Sequence, residues 1–232
     1  MAESTDDPRY PWLEKQVSAG ATIVTASRRL ARDLVETYSA RKITAGQAAW
    51  QTPPILYWPD WLSRTFMSVE DPSQAPRRLD PLSASILWER CLKGRVSEAV
   101  LSIGSVVRQS VQAWQRLGEW NVPVQAVVAA ASTEDERLFA AAAADYLARL
   151  QENNWIDSAG MTAFVAGVLA VEPTLVPKRL AMAGFDRRSP SITQVVEVLE
   201  ANGCAVIDMP AAERTGGIDV VSYADTGAEL RA

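Results

Sequence analysis

The sequence contains no histidine. That absence excludes Ser-His-Asp and Cys-His nucleophilic catalysis, HExxH zinc sites and imidazole proton shuttles within these 232 residues. Cysteine is scarce as well. Cys91 and Cys204 stand far apart with no CxxC spacing, so they read as small buried hydrophobes in a reducing compartment and not as a metal site. No stretch reaches the roughly 18 uninterrupted apolar residues of a membrane span. The start of the chain, Met1 to Pro11, lacks the apolar centre of a signal peptide. A soluble, cytoplasmic protein with no membrane partner is expected. Basic charge is also in short supply: 23 Lys and Arg face 28 Asp and Glu, a net charge of -5. A nonspecific basic coat for nucleic acid is thereby excluded, and any such contact must be local.

What is present is an ordinary globular composition, 48% apolar and 22% charged, in a length suited to one large domain or two small ones. Ala21 to Ala26 is a β-branched run, and Ser27 follows as a helix cap ahead of Leu30, Leu34 and Tyr38 on one face. The pattern recurs at Ile55-Leu56-Tyr57-Trp58, with Trp61, Leu62 and Phe66 spaced for the next helix. From Asp80 the periodicity becomes helical. Asp80-Pro81 caps one helix, and Val96, Val100, Ile103, Val107, Val111, Trp114 and Leu117 predict a helix of about six turns. Thr133 with Glu136 forms a capping box, and Asp157 is expected to cap a helix containing Met161, Phe164, Val165 and Val168.

Strand patterns return at Arg179 to Gly184, Cys204 to Asp208 and Asp219 to Tyr223, with a helix between the first two opened by Ser189-Pro190. Continuous apolar strands alternating with helices imply an α/β fold with a parallel sheet covered on both faces. The expected division is a flexible leader over 1–20, an α/β core over 21–79 and 177–232, and an all-helical insertion over 80–176. Thr226 to Glu229 announces a further helix three residues before the last residue, Ala232, so the chain reads as the amino-terminal part of something longer.

In such a sheet the ligand crevice lies beyond the carboxyl ends of the strands. Two loops expected at that edge carry arginine pairs: Arg28-Arg29 beside Ser27, and Arg187-Arg188 between Asp186 and Ser189. Guanidinium groups beside helix N-termini make these residues candidates for phosphate or DNA binding. The first strand-turn-helix is where a P-loop would place GxxxxGK[ST], yet Thr25 to Leu30 holds neither glycine nor lysine. ATP and magnesium are therefore not expected as cofactors. Trp58 and Trp61, from a chain rich in tryptophan, are candidates for stacking unpaired bases, with burial as the plainer reading. Glu70 with Asp71, and Glu134 to Glu136, read as solvated carboxylates and not as catalytic pairs.

The run from Thr22 to Ala31, the run from Trp50 to Leu62, the helical stretch after them, and Leu180 to Asp186 followed by Ser189-Pro190 together resemble the amino-terminal region of bacterial DNA repair proteins related to the RecC and AddB subunits of recombination helicase-nucleases. The resemblance implies a superfamily 1 helicase-like sheet of the 1A type with a degenerate P-loop, and a 1B-type helical insertion. It also implies a PD-(D/E)XK nuclease region elsewhere, with single-stranded or branched DNA and a nuclease region or helicase subunit as partners. Ser27, Arg28 and Arg29 would occupy the place of the lost phosphate loop. Two rival readings stay open: an ATPase with an unorthodox phosphate loop, and a protein-interaction domain that touches no DNA.

Overall fold

A computed structural model describes residues 9–69, 75–96 and 102–210. The sheet has four strands, β1 (Thr22–Thr25), β2 (Ile55–Tyr57), β5 (Arg179–Ala183) and β6 (Ala205–Asp208), all parallel and in the order β2-β1-β5-β6. Side chains alternate between its faces. Ile23, Ile55, Ala181 and Ala183 meet α1 (Arg9–Ser18) and α2 (Arg28–Thr44) through Leu13, Leu34 and Tyr38. Val24, Leu180 and Met182 meet α3 (Trp58–Met67), α8 (Met161–Val171) and α9 (Pro190–Ala201). The crossover from β1 to β2 moves one way along the sheet and that from β5 to β6 moves the other, so their helices, α2 and α9, fall on opposite faces. The direction reverses between β1 and β5, which is where this kind of sheet opens a crevice. The expected α/β fold with a parallel sheet is thus present, with β1 and β5 adjacent at its centre.

A second core lies in α4 (Pro81–Leu92), α5 (Ile103–Glu119), α6 (Val124–Ala130) and α7 (Glu134–Glu152). Trp88 stacks on Tyr146 with ring centroids 4.5 Å apart, and Trp114 meets both rings edge-on. A parallel pair of two-residue strands, β3 (Arg77–Arg78) and β4 (Trp155–Ile156), brings the two ends of this block together. Asp80 accepts from the amides of Leu82 and Ser83, and Thr133 with Glu136 closes a complete capping box, both as the sequence predicts.

Four expectations need correction. Residues 9–18 are no loose leader: α1 is a helix whose Leu13 is fully buried, held to α2 by the Arg9–Asp33 pair at 2.7 Å and the Tyr10–Tyr38 ring contact. The long apolar stripe is not one helix. α4 ends at Leu92, the chain turns at Gly94 (φ 81°), and Val96 packs on the same core from outside α5. The boundary near 176 also shifts, because α8 contributes Met161, Val165, Ala166 and Leu169 to the sheet core. Asp157, finally, is not the cap of α8, whose first flanking residue is Gly160. Its buried carboxylate accepts instead from Trp114 Nε1 at 2.7 Å, Tyr146 Oη at 2.9 Å and the Gly160 amide at 3.0 Å. Burial and this carboxylate together push the Tyr146 phenol far above its ordinary range. Val100, Glu70 with Asp71, the Asp219–Tyr223 run and the Thr226–Glu229 motif lie outside the described residues.

Candidate nucleic-acid interface

The turn from β1 into α2 consists of Ala26 and Ser27 alone. The buried Thr25 hydroxyl donates to the Ser27 carbonyl at 2.8 Å, the Ala26 amide donates to the Ala183 carbonyl at 3.0 Å, and the Ser27 hydroxyl accepts from the Leu30 amide at 3.2 Å. The Ala26 and Leu30 amides are thus occupied, and a turn of two residues without glycine is too short to curl its remaining amides around a phosphate. The neighbouring β5 loop closes the space further. Gly184 has φ of 76°, and a Cβ added there would lie 2.6 Å from Leu30 Cδ2. Leu30 thus packs where a looser turn would leave a hollow.

Around this closed turn the predicted basic residues separate into distinct roles. Arg28 is exposed and lies 2.9 Å from Asp60, with its guanidinium 5.4 Å from the centre of the Tyr57 ring. An exposed pair of this kind contributes little to stability, so the guanidinium can be redirected to a phosphate at small cost. Arg29 is exposed on the first turn of α2 and has no hydrogen bond or ion pair with the described residues. Arg187 is likewise exposed and unpaired within them. Arg188 turns the other way and pairs with Asp208 at the end of β6. Asp186 is exposed in the same loop.

The carboxyl edge of the sheet and the helical block enclose a cleft of about 520 Å³. Ala26, Tyr57, Phe185 and Arg187 line it from the sheet side. The opposite wall comes from the end of α5 and the Ser158-Ala159 segment. Close approach of these two parts depends on Gly118, where an added Cβ would stand 2.7 Å from the Ala159 carbonyl oxygen. The structure thus brings the Arg187 loop and the Ser27-Arg28 turn to one edge, with Arg28 reaching Tyr57 on the cleft wall.

The tryptophans are a correction. Trp58 and Trp61 are 6% and 5% exposed, with ring centroids 5.0 Å apart inside the sheet core, so neither offers a free face to a base. Their size favours burial between sheet and helix over exposure. Trp58 still reaches the cleft floor, where Phe185 meets it edge-on at 6.0 Å. Three cleft residues escaped the sequence reading. Arg78, which donates to the Ser63 hydroxyl at 3.0 Å, comes from a strand of two residues, and Glu119 and Ser158 come from the helical block. No local pattern ties these segments to the sheet edge.

Among the described residues no cluster of three or more Asp, Glu or Cys could hold a metal ion, and no helix is long and apolar enough to cross a membrane. The fold and site define a parallel α/β protein with an arginine-bearing, closed first turn and a cleft at the sheet's carboxyl edge. No protein-family model matches the chain, and no curated protein matches its sequence.

Proposed function

We propose that this chain is a non-catalytic, helicase-like domain of a DNA repair protein, guiding single-stranded or branched DNA for a nuclease region that lies outside these residues. In this reading the four-stranded sheet corresponds to a helicase 1A core, and the α4–α7 block to its 1B insertion. One observation carries the proposal: the turn after β1, closed by its own hydrogen bonds and by Leu30, bears arginines where an active helicase bears its phosphate loop. Such a turn retains attraction for backbone phosphate while lacking the means to grip a triphosphate. The acidic chain, with net charge -5, confines that attraction to the edge bearing Arg28, Arg29 and Arg187.

Fluorescence anisotropy with a single-stranded oligonucleotide tests the reading. Three phosphate contacts give a logarithmic salt slope of about -2, so affinity falls about twentyfold for a fourfold rise in salt. Replacing Arg28, Arg29 and Arg187 by alanine should abolish most of that slope. Unchanged affinity and slope in the triple variant would refute the assignment.

A second reading has one specific observation in its favour. Trp120 is 63% exposed and Val128 52% exposed on the α5–α6 side of the helical block, as on a surface that docks a partner subunit. Docking there is compatible with a DNA-guiding role for the arginines of the sheet edge.

A further inference from the structure

The arginines of the sheet edge account for attraction to phosphate but leave the cleft itself without a role. Its volume, about 520 Å³, falls within the range of small-molecule sites. Its floor is apolar, built from Leu62, Met161, Phe185 and Ile192, with Trp58 beneath. Its charged lining consists of two guanidinium groups, Arg78 and Arg187, against one carboxylate, Glu119. That balance is positive in a chain whose net charge is -5.

Three helices also begin in the cleft wall. Tyr57 and Trp58 open α3, Met161 and Thr162 open α8, and Ser189 and Ser191 flank the start of α9. None of the three has a side-chain cap on its first amides. Asp60 stands in the first turn of α3 and Asp157 accepts from the Gly160 amide at the start of α8, so the positive end of α9 is the one that adds to the guanidinium charge where an anion would sit. Phe185 is half-buried and fixed edge-on by Trp58, which leaves a rigid ring for a flat apolar group.

We propose that this cleft binds a nucleotide through one phosphate, held by Arg187 and Arg78, with the attached base lying against Phe185. A triphosphate is disfavoured because the turn after β1 offers no cradle for the outer phosphates. The ligand chemistry is a phosphate monoester carrying a base, whether free or at the end of a DNA strand. Only the choice of a strand end as the source rests on the DNA-guiding reading.

The test uses the full chain and three probes: deoxyadenosine monophosphate, deoxyadenosine, and a twelve-nucleotide strand with either a 5′-phosphate or a 5′-hydroxyl. Calorimetry should show the monophosphate binding at least about tenfold more tightly than the nucleoside, the margin of one charge-assisted contact. Arg187→Ala should remove that margin. Ser158→Trp, at an exposed position on the opposite wall, should block both ligands while the thermal midpoint stays near that of the parent chain. Glu119→Gln should tighten binding of the monophosphate.

A 5′-phosphate that strengthens strand binding identifies the strand end as the source, and equal binding of the two strands identifies the free nucleotide. Monophosphate binding that persists without any strand binding supports the cleft while refuting the DNA-guiding role. Absence of monophosphate binding, or binding untouched by both Arg187→Ala and Ser158→Trp, overturns the proposal.

Discussion

The two cores of this protein are built on different principles. The strands of the sheet core present aliphatic side chains that alternate: Val24, Leu180 and Met182 point to one side, Ile23 and Ala181 to the other, and each side meets its own helices, which add rings such as Trp58, Trp61 and Tyr38 without a shared polar centre. The α4–α7 core is aromatic and is organised around a polar centre, the Asp157 carboxylate between Trp114 and Tyr146. The first is stabilised by removal of area from water, a distributed effect of about 1.5–3 kcal/mol per large side chain. The second concentrates its dependence on a single acceptor serving three donors. A distributed core tolerates single losses, whereas a shared acceptor does not.

The largest expected effect follows directly. Asp157→Ala leaves the Trp114 indole N–H and the Tyr146 hydroxyl buried without an acceptor, a cost of about 3 kcal/mol by denaturant titration. The α4–α7 tryptophans should report the loss first, and a single shared transition with the sheet would break the contrast between the cores. Tyr146→Phe removes only one donor and should cost about 1 kcal/mol. Between these falls Gly184→Ala, which combines a positive φ with a collision against Leu30 and should cost about 2 kcal/mol. If closure by Leu30 is the cause, Leu30→Ala should recover the steric part in a double-mutant cycle.

The smallest effect is electrostatic. Glu136 is held down at about 2 by hydrogen bonds from the Thr133 and Ser132 amides and the Ser132 hydroxyl, below its ordinary 4.5. Its folded value is depressed, so its contribution is present above about 4.5 and is lost as pH falls through about 2. Carboxyl titration by NMR should place the Glu136 midpoint near the lower value, and Glu136→Gln should remove this part of the loss of stability on acidification.

The same contrast explains what the sequence discloses. The sheet is legible because its signals are local: apolar runs of four or five residues, a serine cap at Ser27, and Ser189-Pro190 before α9. The capping box at Thr133 and the Asp80 cap are legible for the same reason. Asp157 misleads because its spacing suits a cap, while its main partners lie 43 and 11 residues away. α1 is hidden by a polar sequence in which only Leu13 and Gln16 are buried. At the site, Ser27, Arg28 and Arg187 are legible from the rule that crevices open beyond strand ends. Arg78 and Ser158 are not, because their approach to that edge depends on how the helical block seats through Gly118 and Ala159. Trp58 and Trp61 show that an abundance of large rings near a site does not make them available to a ligand.

On the proposed helicase-like reading, the closed, arginine-bearing first turn of the sheet stands where a phosphate loop would be and cannot support ATP hydrolysis. Phosphate release from magnesium-ATP, measured with saturating single-stranded DNA, tests it most directly. No release above the protein-free rate is expected while the same sample binds the strand. Strand-stimulated release that disappears on Arg28→Ala would contradict it.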